Sequence, residues 1–315
     1  MTSSTVAPAS YGKLVIAETA TAVADIYANS LDIAGAKELK LNSKGLILNG
    51  AGPLISGLGT ISGGGTSYIE CYGGNGGNNG TFSFTPGFNS LDYLSIQFNG
   101  ASDYVSLGTD LNINFSAVGA FYQFIGSFKL NGFSLIVDAG SDFGPPSSGL
   151  GEIYGGGNSS LFINGSVGFF SATDELYMNN SNNSLKVLSF NPIPSSAPLN
   201  VLKIGNAINI TDSLSIRSGG TIITNSNVTL VSTSSLKGRL GNMNNGTLTG
   251  DLKVQTFARG GITDWVNIGV SGVTGETINS GWYGQIPMAI ENSPTGVTSV
   301  ANTYFESVQR WNEGC

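Results

Sequence analysis

Apolar and polar residues alternate along much of this chain. Leu91 to Ile96, Tyr104 to Leu107, Leu111 to Phe115, Phe128 to Leu130 and Ser134 to Val137 all follow a period of two. Successive side chains of a strand point to opposite faces, so this period predicts short β-strands. Turn-forming residues separate them: Asn99-Gly100, Gly108-Thr109-Asp110 and Asn131-Gly132.

The strands belong to a long internal repeat. Gly59-Thr60-Ile61-Ser62-Gly63-Gly64-Gly65 returns as Gly151-Glu152-Ile153-Tyr154-Gly155-Gly156-Gly157, at an offset of 92. Asn89-Ser90-Leu91 to Ile96 returns as Asn183-Ser184-Leu185 to Phe190 at 94, and Leu107 to Ile113 returns as Ile204 to Ile210 at 97. Leu39-Lys40-Leu41-Asn42 likewise resembles Phe128-Lys129-Leu130-Asn131. Blocks that keep their order while the offset drifts fit stacked coils that accept insertions at corners. A β-sandwich or barrel has similar strands but does not require such a repeat.

Composition sharpens this expectation. Gly, Asn, Ser and Thr number 46, 31, 40 and 24, together 141 of 315 residues, whereas charged residues make up only 10%. Strands stacked in register place like side chains over one another; columns of like charge repel, while Asn, Ser and Thr hydrogen-bond along the stack. The expected fold class is all-β: a parallel β-solenoid (β-helix) from about residue 25 to 250, followed by a C-terminal β cap or partial β domain. The expected divisions are 1–30 (an extension, a cap of its own first coil, or a donor strand), 31–250 (solenoid, with repeats at about 59–140 and 151–230) and 251–315 (cap). All three tryptophans, Trp265, Trp282 and Trp311, fall in the last division.

Charge and residue inventory narrow the chemistry. The net charge is −7 with no basic stripe, so nucleic acid is not an expected partner. With no histidine, Ser-His-Asp, Cys-His and His-metal arrangements are excluded. No apolar run reaches the roughly 18 residues of a membrane span. Of the two cysteines, Cys71 sits in an apolar strand and is expected to be a buried free thiol, while Cys315 is terminal. Acidic residues are scattered. Asp174-Glu175 is an adjacent pair whose side chains diverge on a strand, and Asp138 and Asp142 flank a turn lacking a full calcium-loop pattern. The glycine-rich run Gly73 to Gly80 lacks the Lys-Ser/Thr of a phosphate loop and reads as a flexible corner. The aromatic group Phe115, Phe121, Tyr122, Phe124 and Phe128 reads as core packing, with a sugar platform as the competing assignment. Threonines lack the even spacing of an ice-binding ladder. Asn-x-Ser/Thr triplets at Asn79, Asn114, Asn158, Asn164, Asn209, Asn227 and Asn245 are frequent enough to arise from composition alone. No catalytic, cofactor-binding or metal-ligating residue is expected.

Gly59 to Gly63, Phe82-Ser83-Phe84, Leu91 to Ile96 and Val105 to Ile113, then Gly246 to Val254 and Asp264-Trp265-Val266-Asn267-Ile268, form an ordered set of strand-and-turn motifs. This set resembles a recurring pattern in large secreted surface proteins of Bacteroidota exported by the type IX system. Asp264 stands where that pattern has Gly, and the Pro-Asn-Pro-like sorting domain is absent, so a longer polypeptide is expected. The resemblance implies an extracellular surface protein. The absence of histidine, of a carboxylate constellation and of a nucleotide motif gives the expectation that it is not an enzyme. Open coil ends, which can template another strand or subunit, give the expectation of a structural protein: a filament subunit or surface adhesin that self-associates through solenoid ends or strand addition. A carbohydrate-binding or carbohydrate-active β-helix protein is the alternative, with polysaccharide as the partner.

Overall fold

A computed structural model describes residues 4–6, 10–64, 66–74, 76–114, 120–138, 140–145, 148–167, 175–192 and 200–255. The chain divides into two units, Met1–Gln255 and Thr256–Cys315. The second unit, with the expected cap from residue 256 onward, the three tryptophans and Cys315, lies outside the described residues, while residues 251–255 of that expected cap belong to the first unit.

The described part of the first unit is a parallel β-solenoid of about nine turns without helix. Named strands pair in parallel with the corresponding strand of the next coil. The length of chain per register step varies: it is short where Ser4 lies opposite Ala20 and long where Glu175 lies opposite Lys203. Leu91, Ile113, Val137, Ile163, Phe190 and Ile216 form one continuous buried column. A second column runs through Leu46, Ile69, Leu94, Phe121, Phe143 and Val167, and a third through Val105, Phe128 and Ile153. Period-two alternation puts one apolar set inside, and parallel register stacks those sets into a single core. Phe121 and Phe143 lie stacked with ring centroids 5.7 Å apart, and Phe128 packs 5.2 Å from Phe121.

The long sequence repeat spans about four coils: four register steps carry Leu91 to Phe190, five residues past Leu185, its counterpart in the repeat. The expected strand Leu91 to Ile96 is two strands, Ser90–Leu91 and Tyr93–Phe98. Leu91 and Leu94 are both buried despite their odd spacing, because the chain turns a corner at Asp92 between two sheets. Pairing also extends past the expected limits. Ser10–Ile16 lies parallel to Ile26–Ile33 of the same chain, with Leu14 opposite Leu31, and Leu252–Val254 pairs with Val228–Leu230.

Corners make two local demands. Some need a left-handed backbone, as at Asn131 and Gly132 with φ of 54° and 89°. Others need absence of a side chain, as at Gly165, where a Cβ would overlap the Ser141 carbonyl of the preceding coil. The run Gly73 to Gly80 is organised by a residue one coil later. Asp103, only 1% exposed, accepts hydrogen bonds from the Gly77 N–H (3.0 Å) and the Asn79 amide (3.1 Å).

Two outcomes follow. Gly165→Ala should destabilise the solenoid by about 1–3 kcal/mol through overpacking, whereas Gly52→Ala, at a position open to solvent, should stay within about 0.5 kcal/mol; urea unfolding monitored by circular dichroism measures both. Cys71 is fully buried, and burial, reinforced by the adjacent Glu70, pushes its thiol pKa well up. Native protein treated with iodoacetamide should carry no label on the Cys71 peptide, and unfolding should expose it.

Candidate functional site

One nine-stranded sheet carries an unusual outer face. Its strands include Ile26–Ile33, Gly45–Gly50, Tyr68–Gly73, Tyr93–Phe98, Ala120–Ile125 and Asp142–Gly144. Ile69, Cys71, Leu94, Ile96 and Phe121 point inward. The alternate positions therefore project outward: Tyr68, Glu70 and Tyr72, then Tyr93, then Tyr122 and Phe124. Register aligns them along the stack. Tyr68 is opposite Tyr93, and Tyr122 is opposite Ser95, the next outward position after Tyr93. Ring centroids are 6.4 Å apart for Tyr68–Tyr93, 5.7 Å for Tyr93–Tyr122 and 5.9 Å for Tyr122–Phe124. The first two contacts are edge-to-face, a favoured aromatic geometry. Two glycines make room for the rings: a Cβ at Gly45 would overlap the Tyr68 ring, and one at Gly144 would press on Tyr122.

Carboxylates are interleaved with the tyrosines. Asp25 accepts from the Tyr68 hydroxyl (3.1 Å) and the Gly45 N–H (2.8 Å), Glu70 from the Tyr72 hydroxyl (2.9 Å), and Asp142 from the Tyr122 hydroxyl (3.2 Å). Partial burial, with the neighbouring Asp25, raises the Tyr68 phenol to about 12; burial and the Glu70 bond raise Tyr72 to about 12. Burial also pushes Tyr122 up, and raises Asp142 despite its bond from Tyr122. The resulting surface combines flat apolar rings with carboxylate acceptors. Tyr27, 51% exposed, extends it by two coils, in line with Ile47 and Glu70.

A cleft of about 350 Å3 lies at Ser102, Ser148, Glu152, Tyr154 and Tyr177. Glu152 accepts from the Asn179 amide (2.7 Å), and Tyr177 donates to Glu175 (2.6 Å). The Lys129 ammonium lies 3.3 Å from the Tyr104 ring centroid and 4.6 Å from that of Tyr154, a double cation–π contact. The cleft and its surroundings thus combine rings, hydroxyls and a carboxylate.

The aromatic group singled out in the sequence is divided by the fold. Phe121 and Phe128 are buried in the core, Tyr122 and Phe124 face outward, and Phe115 lies outside the described residues. Asp138 closes a turn by accepting the Ser141 N–H, while Asp142 joins the tyrosine face. Glu175 bonds Tyr177; Asp174 lies outside the described residues. Asn79 is buried against Asp103. Sequence reasoning missed Tyr68 and Tyr93. The available signal was their separation by a single coil step, which the four-coil repeat conceals. Among the described residues no three His, Cys, Asp or Glu side chains group as a metal site, and no helix is long and apolar enough to cross a membrane.

The tyrosines dictate an alkaline response. A phenol raised from its ordinary 10 to about 12 stays neutral in the fold while the unfolded chain ionises. Stability should thus be insensitive to these groups below pH 10 and fall between 10 and about 12. Thermal melts across that range, compared with Tyr68→Phe/Tyr72→Phe, measure it; the double variant should lose part of the slope.

No protein-family model, curated protein or solved structure matches the chain significantly.

Proposed function

We propose that this solenoid is an extracellular surface module that adheres to polysaccharide, acting as a binding scaffold rather than an enzyme. The observation that carries the proposal is the row Tyr68, Tyr93 and Tyr122 on three successive coils, bordered by Asp25, Glu70 and Asp142. The C–H face of a pyranose ring packs on an aromatic ring, and its hydroxyls donate to carboxylates. Adjacent coils are separated by about 4.8 Å. A pyranose unit in an extended glycan advances by nearly that length, so the glycan would run along the stack with successive sugars over successive coils. The row lies on the flank of the solenoid, not at an end, which favours adhesion over end-to-end filament assembly. The lack of histidine and the low charge also suit a passive binding surface.

Immobilised-glycan binding with soluble oligosaccharide competition tests this. Tyr93→Ala should weaken binding about tenfold, equivalent to about 1.4 kcal/mol, while Tyr93→Phe should retain most of the affinity. Tyr104→Ala, on another sheet, should have little effect on this interface. Undiminished binding by Tyr93→Ala, or no binding to any glycan, would remove the proposal.

A further inference from the structure

The charge of the tyrosine face specifies its ligand further. Ile26–Ile33, Gly45–Gly50, Tyr68–Gly73, Tyr93–Phe98, Ala120–Ile125, Asp142–Gly144 and Ser166–Val167 contain no Lys or Arg. On the outer face these strands present Asp32, Glu70 and Asp142, and Asp25 lies at the edge beside Tyr68. Lys13 and Lys44 border this set of strands. Lys13, on the adjoining strand Ser10–Ile16, is ion-paired with Asp32 at 2.8 Å, and Lys44 stands in the turn before Gly45–Gly50. Elsewhere a cation does sit on tyrosine rings, Lys129 between Tyr104 and Tyr154. Among the described residues, the strands that carry Tyr68, Tyr93 and Tyr122 thus supply no Lys or Arg to this ring surface, and the Lys13 of the same sheet is taken up by Asp32, within a chain of net charge −7.

We infer that this face selects a polysaccharide bearing ammonium groups, a deacetylated amino-sugar polymer, over neutral and uronic-acid glycans. The inference rests on the glycan-binding reading. Tyrosine rings attract a cation through their negative faces, and the carboxylates keep acceptor lone pairs beyond the phenol bonds they take and the Gly45 N–H that Asp25 also accepts. A ligand ammonium would sit between a ring and a carboxylate, forming charge-assisted hydrogen bonds. A polyuronate would meet like charge along the same face.

A matched pair of probes tests this: the glucosamine hexasaccharide and its fully N-acetylated counterpart, which shares the backbone but lacks the charge. Calorimetry at about pH 6 lies above the ordinary carboxylate range. The glucosamine form should bind about tenfold tighter at low salt, and the ratio should shrink as salt screens the interaction. Glu70→Gln should move the ratio toward unity, and the matching uronate oligomer should bind worst. Equal or preferred binding of the acetylated form overturns the charge inference and leaves the glycan-binding reading standing. If neither form nor any other glycan binds, the reading itself fails, and the inference with it.

Discussion

Parallel pairing in register, coil upon coil, is the constraint on which this molecule depends. Backbone hydrogen bonds fix each residue over its counterpart one coil earlier, so every outward position belongs to a column. Inside, columns of Leu, Ile, Val and Phe satisfy this readily. Outside, a column tolerates little repeated charge, which explains why so large a chain carries so few charged groups. Polar columns instead join through hydrogen bonds between neighbouring coils, as in Asn209 to Asn183 (3.0 Å) and the Thr60–Thr85 pair (2.8 Å). Glu38 shows how a carboxylate is accommodated. Burial opposes its charge, but hydrogen bonds from Ser62 and Thr85, together with Lys40, outweigh this and hold its pKa below the ordinary value.

The same constraint turns isolated tyrosines into a surface. Tyr68, Tyr93 and Tyr122 are far apart in sequence, yet coil stacking sets their rings edge to face. Gly45 and Gly144, whose backbones need no left-handed conformation, are required because the rings lie across them. Core and surface therefore share one geometric origin, and a change in coil register would disrupt both.

Much of the fold was legible in the sequence, because alternation reports directly on which side chains face inward. Tyr104–Leu107 and Ser134–Val137 form as the pattern predicts. The single-coil period was hidden, because corner insertions vary the step from coil to coil and only every fourth coil resembles its predecessor closely. The break at Asp92 was hidden as well, since a corner lets Leu91 and Leu94 share a core despite their odd spacing. The glycine run read as flexible because its anchor, Asp103, lies one coil downstream and is not a local signal. The candidate face was illegible for the same reason: it consists of contacts between coils.

The arrangement of the inter-coil bonds has a mechanical consequence. They run nearly along the stack, so tension between its ends loads the ladders one after another, in series. The whole coil from Leu111 to Leu135 advances the stack by a single strand spacing. Peeled off and drawn straight, that coil would reach roughly 80 Å, against about 4.8 Å in the stack. Such a chain would give way by successive long extensions while its remaining coils stayed folded, absorbing work in steps where a rigid tether would transmit the full shock.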